Sequence, residues 1–187
     1  MRVSAAVREG DRMGHRARSC STRRWVTRGL TVGVLVLGVG VGVAGAQQAI
    51  YVVRHAERAD QSSDSALSEA GRARARTLAR LLAKADVTAV YATEYRRTFQ
   101  TAQPLAEDVE VDIQRIPAEE TDSLVSTLRR RHADDVVLVV GHSNTVPAVL
   151  AAYGHPGHLE IAHDEYDNLF VLIPRADGPP TVLRLSF

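Results

Sequence analysis

Three stretches of the chain place histidine or arginine directly after an apolar run. "IYVVRHAER" carries Arg54, His55 and Arg58 behind four apolar residues. "VVLVVGHSN" carries His142 behind a β-branched run, Val136–Val140. "AVYATEYRR" leads into Arg96 and Arg97. A single histidine after a strand is usually a polar surface residue, and an arginine pair at a helix start is usually a solvated face. Three such ends together are a different matter. Groups that can all carry positive charge repel one another, so gathering them makes sense where an anion belongs. Guanidinium groups stay charged and bind phosphoryl oxygens bidentately, and a neutral imidazole can attack phosphorus.

Strand–helix alternation supplies the positions. Ala49–Val53 reads as a strand. "LSEAGRARARTLARLLAKA" reads as a helix capped by Ser68, with Leu78, Leu81 and Leu82 on one face. Ala89–Ala92 reads as a short strand, and Tyr95–Glu107 as a helix that Pro104 should end or kink. Val109–Ile116 is a further strand, Thr121–Arg131 a helix, and Val136–Val140 a strand covered on both faces. "NTVPAVLAAY" is helical, and Phe170–Ile173 and Val182–Leu185 close the domain as strands. The pattern predicts a three-layer α/β/α sandwich around a mostly parallel central sheet. Ligands of open α/β sheets bind at the carboxyl ends of the strands, where the three charged ends fall.

"RHAER", "LSEAGRARA", "YATEYRRTFQTAQPLA" and "VVGHSNTVP", in that order, resemble the histidine phosphatase superfamily, the phosphoglycerate-mutase-like fold. The resemblance covers residues 49–187. "EYDNLFVL" also resembles small exported bacterial members. The resemblance implies that His55 is the nucleophile, transiently phosphorylated. It implies that Arg54 and Arg58 bind the phosphoryl group. It gives the same role to Arg97, which opens R-x-x-x-T-A with Thr101 and Ala102, and makes Arg96 the lesser choice. His142 matches the second catalytic histidine. A carboxylic acid is expected before the third helix. "IPAEETDSL" offers Glu119, Glu120 and Asp122, of which Glu120 is favoured by spacing. Ser143 after the late histidine excludes the variant with an aspartate there. The chain also lacks the long insertion of the mutases.

The resemblance therefore implies a metal-independent phosphoric monoester hydrolase with a phosphohistidine intermediate and no cofactor. The expected partner is a small phosphorylated substrate, such as a phosphosugar or envelope saccharide, with no nucleic acid. The alternatives are a phosphohistidine-protein phosphatase, or a catalytically weak phosphate-ligand-binding module on the same fold.

Composition agrees with one domain and adds an address. The 187 residues are 45% hydrophobic and 24% charged, with a net charge of +1. Residues 1–28 hold eight arginines against Glu9 and Asp11, which leaves the rest of the chain net acidic. An uncharged run, Leu30–Ala44, and Ala44-Gly45-Ala46 follow. Residues 1–46 read as a signal peptide with cleavage before Gln47, and residues 47–187 as the histidine phosphatase domain. An uncleaved membrane anchor is the alternative. Arg23-Arg24 hints at twin-arginine export, and translation starts at Met1 or Met13. The expected location is periplasmic or extracellular, with no stable membrane contact once the signal is removed. The single cysteine, Cys20, lies in that segment, so the mature chain holds no disulfide. His155, His158 and His163 match no strong zinc spacing and read as solvated loop residues.

Overall fold

The computed structural model describes residues 48–187; the signal-peptide reading of residues 1–46 lies outside them. Six strands form one sheet: β1 (Ala49–Arg54), β2 (Val87–Thr93), β3 (Ile113–Ile116), β4 (Val136–Gly141), β5 (Asn168–Ile173) and β6 (Thr181–Ser186). Four helices alternate with the first of them: α1 (Glu69–Leu82), α2 (Arg96–Asp108), α3 (Thr121–Arg131) and α4 (Thr145–Ala152). The strand order is β3-β2-β4-β1-β5-β6. The first four strands run parallel, and β5 and β6 return antiparallel. This is the expected α/β/α sandwich.

Period-two alternation sorts the strand residues into two cores. Ile50, Val52, Val137, Val139 and Phe170 face α3 and α4, packing on Leu124, Leu128, Val146 and Val149. Val53, Val90, Leu138, Val140 and Leu169 face α1 and α2, packing on Leu78, Leu82, Ala102 and Leu105. A strand covered on both faces has no solvated side, which is why β4 reads as an unbroken apolar run. Each such buried leucine or valine stabilises the fold by about 1.5–3 kcal/mol.

Topology brings the chemistry together. β1 and β4 are neighbours, with Arg54 opposite Gly141. His55 N–H donates to Gly141 O at 2.9 Å, so the residues after the two strands leave the sheet side by side. β2 flanks β4 on its other side and ends level with it, Ala92 opposite Val140.

Two segments depart from the sequence expectation. α2 runs past Pro104 to Asp108. The proline forfeits only its own bond to the carbonyl one turn back, and buried Leu105 and Ala106 hold the last turn against the sheet. The third strand begins at Ile113, not Val109. Val109 N–H still bonds Leu105 O, and Glu110 takes a left-handed φ of 56° that reverses the chain first.

Candidate active site

His55 is buried at the end of β1, and its backbone is fixed from three sides. Ala56 N–H donates to Thr101 Oγ1 on α2 at 2.9 Å. Ser68 N–H, at the cap of α1, donates to Glu57 O at 2.9 Å. The Glu57 carboxylate accepts from Arg74 Nε at 2.9 Å and Nη2 at 2.7 Å, and Arg74 Nη1 reaches Phe187 O at 2.9 Å. Gly71 allows this approach: a Cβ there would lie 2.3 Å from Glu57 O.

The same loop sets the tautomer of His55. Its Nδ1 lies 2.7 Å from Ala56 O. A carbonyl oxygen only accepts, so Nδ1 carries the proton and Nε2 keeps its lone pair. Burial is the main reason that the imidazole pKa falls from 6.5 to about 3; the Ala56 bond opposes the shift, and His142, Arg97 and Arg54 add to it. His55 is therefore a neutral imidazole at neutral pH.

His142 stands beside it at the end of β4, with ring centroids 5.3 Å apart. Its Nε2 lies 2.8 Å from Thr93 Oγ1. The Thr93 hydroxyl donates to Thr98 Oγ1 at 3.0 Å, and Thr98 donates to backbone carbonyls of Thr93 and Tyr95. In that chain Thr93 has spent its proton, so it accepts from His142 Nε2–H. Burial, followed by the charges of Arg97 and Arg54, lowers the His142 pKa to about 4.

Three arginines surround the pair. Arg54, Arg58 and Arg97 line a cavity of about 320 Å3 together with His55 and His142. Arg54 Nη1 bonds the carbonyls of Ala162, His163 and Glu165 at 2.8–3.0 Å, and its guanidinium stacks on Tyr166 at 4.2 Å. Arg97 stacks on Tyr95 at 4.3 Å and donates to Ser63 O at 2.7 Å. Arg58 Nη2 reaches Gln61 Oε1 at 2.7 Å. Burial lowers the pKa of Arg54 and Arg97. Their Nε atoms are buried without a hydrogen-bond partner among the described residues. Clustered cations held at such cost are a feature of sites where an anion offsets the repulsion.

Arg96, beside Arg97, is exposed and does not line the cavity; its backbone N–H is tied to Asp64 Oδ1 at 2.7 Å. From the loop before α3 only Ala118 reaches the cavity. Its N–H is held by Glu94 Oε2 at 2.9 Å. Glu119, Glu120 and Asp122 are exposed, and Glu120 is the cap residue of α3. Among the described residues no carboxylate lines the cavity. Among the described residues no three His, Cys, Asp or Glu side chains are grouped to hold a metal ion. None of the described helices is long and apolar enough to cross a membrane.

Sequence reasoning missed Tyr95, Asn144 and His163, which also line the cavity, and Thr93 and Tyr166 behind it. Tyr95 and Asn144 adjoin the motifs and were within reach of them. His163 and Tyr166 lie more than a hundred residues from Arg54, and only the antiparallel return of β5 beside β1 brings them there.

A cationic cradle lies around paired histidines at the carboxyl ends of two central parallel strands, an arrangement suited to holding an anion. Residues 50–120 match the model of the histidine phosphatase superfamily (branch 1). Solved structures share the fold of this chain. SixA from Agrobacterium tumefaciens is 24% identical with a TM-score of 0.60, covering 74% of this chain and 98% of its own. The protein histidine phosphatase SixA complexed with tungstate is 18% identical with a TM-score of 0.59, covering 74% and 96%. The mycobacterial glucosyl-3-phosphoglycerate phosphatase is 18% identical with a TM-score of 0.54, covering 67% and 89%. No curated protein matches the chain.

Proposed function

We propose that this protein is a phosphatase that takes a phosphoryl group onto His55 Nε2 and passes it to water. The observation that carries the reading is the Nδ1 bond to Ala56 O, which leaves Nε2 as the free nucleophilic nitrogen beside three arginines. The P–O or P–N bond of the substrate breaks as the Nε2–P bond forms. The arginines stabilise the charge spread over the equatorial oxygens, and His142 faces the same phosphoryl group. Water then attacks the phosphohistidine and releases phosphate.

The leaving group narrows the substrate. Glu120, the acid expected from the sequence, does not line the cavity, so it acts only if its loop moves inward. As the site stands, leaving groups that need little protonation suit it best. That favours phosphoramidates such as phosphohistidine, and aryl phosphates, over simple sugar phosphates.

The test is transfer of radiolabel from an aryl phosphate, with rapid acid-free quenching. A base-stable, acid-labile phosphoenzyme should form with the wild type. His55→Ala should form none and should turn over at least about 10³-fold more slowly, because a nucleophile has no substitute. A labelled His55→Ala protein would overturn the assignment.

We also propose that the protein is exported and works as a mature chain from Gln47. The support is the order of the N-terminus: eight arginines, then the uncharged run, then Ala44-Gly45-Ala46. N-terminal sequencing of protein from the native cell envelope should begin near Gln47. Recovery only from cytosol, with residues 1–46 intact, would contradict it.

A further inference from the structure

A second cavity, of about 450 Å3, adjoins the cationic one. Both are lined by Ser143 and Asn144, the two residues after the second histidine. Among the described residues neither side chain has a hydrogen-bond partner, and Asn144 stands at the α4 cap position without capping the helix. Beyond them the wall changes character. Pro147, Leu159 and Ile161 supply apolar surface, and Glu160 and Glu165 supply negative charge. The Glu165 carboxylate is occupied: it accepts from Ala162 N–H at 3.0 Å and faces Arg184 at 3.4 Å. Among the described residues Glu160 meets only His158, at 3.1 Å, with both side chains over four-fifths exposed.

The two cavities are built to one frame. The far wall of the second is the segment 159–165, and its carbonyls at 162, 163 and 165 are the ones that Arg54 Nη1 holds. The arginine beside the nucleophile therefore also fixes the acidic and apolar wall. Phosphoryl pole and second cavity keep a set spacing before any substrate arrives.

We propose that the second cavity is the leaving-group subsite, and that it selects a leaving group with an apolar body and a basic amine at its far end. This rests on the phosphatase reading. A bound substrate would place phosphate among Arg54, Arg58 and Arg97. Its body would cross Ser143 and Asn144 onto Pro147, Leu159 and Ile161, and its amine would reach Glu160. An anionic leaving group meets carboxylates there and is disfavoured.

Three aryl phosphates of similar phenol acidity test this: O-phosphotyramine, 4-(2-hydroxyethyl)phenyl phosphate and 4-(carboxymethyl)phenyl phosphate. They differ in the charge at the far end, so leaving-group reactivity is held nearly constant. For the wild type, kcat/KM should fall in that order, with the amine preferred over the alcohol by about fivefold, the upper worth of one exposed ion pair. Glu160→Gln should bring the amine-to-alcohol ratio close to one. Glu160 is exposed, so the variant will fold. Equal rates across the series, or preference for the carboxylate, would overturn the subsite while nitrophenyl phosphate turnover upheld the phosphatase. An unchanged ratio in Glu160→Gln would remove Glu160 and the proposal with it. No hydrolysis of nitrophenyl phosphate by the wild type would overturn both.

Discussion

The two histidines differ in what their backs are tied to. His55 Nδ1 meets a carbonyl, which forces a proton onto that nitrogen and frees Nε2. His142 Nε2 meets a hydroxyl, which could accept or donate, and the choice falls to Thr98 further back. Thr93 is thus a positioning residue: it holds His142 with Nδ1 turned away from it. Thr93→Val keeps the shape and removes the acceptor. We expect kcat to fall by about 10²-fold, the lower end for losing a positioned proton-handling group, with KM moving much less. Thr93→Ser keeps the hydroxyl and should recover most of the rate. A valine variant as fast as the wild type would show that the hydrogen bond to His142 does not matter.

At the scale of elements, the loop after β1 is locked by the first turn of α1. Gly71 touches the Glu57 carbonyl so closely that no side chain fits. Gly71→Ala must push α1 and the His55 loop apart, although alanine is the better helix former by about 1 kcal/mol. We therefore expect a net loss of about 2–3 kcal/mol in urea unfolding, within the range for overpacking a close contact, and a parallel loss of aryl phosphatase activity. A variant as stable as the wild type would show that the contact yields freely. Much of this scale was legible in the sequence. Every strand and helix was anticipated, because buried strands announce themselves by β-branched runs and α1 by its Ser68 cap, which accepts from Gly71 N–H at 3.0 Å. The misjudged ends, at Pro104 and Val109, are places where tertiary burial and a left-handed residue outweigh local rules. Within the site, the arginines and histidines stood next to apolar runs. The carbonyl clamp on Arg54 uses backbone atoms of Ala162, His163 and Glu165, and backbone groups carry no sequence signal.

For the whole molecule, the site sets how stability depends on pH. His55 and His142 are buried neutral, with pKa values of about 3 and about 4 against 6.5 for a free imidazole. Between pH 6.5 and about 4 the unfolded chain takes up protons at both positions and the folded chain does not. Unfolding is then favoured as pH falls, so stability is full above pH 6.5 and declines below it. One proton per group corresponds to a slope of at most about 1.4 kcal/mol per pH unit for each histidine. Carboxylates titrate mainly below this window, so the range from pH 7 to pH 5 isolates the imidazoles. Replacing His142 with glutamine removes one of the two groups without adding a charge. Urea unfolding at pH 7, 6 and 5 should therefore show wild-type stability falling more steeply than that of His142→Gln, by about 1 kcal/mol per pH unit at the acid end. Parallel slopes for the two proteins would mean that His142 protonates freely in the folded state. Burial beside Arg97 and Arg54 would then not be what keeps this imidazole neutral.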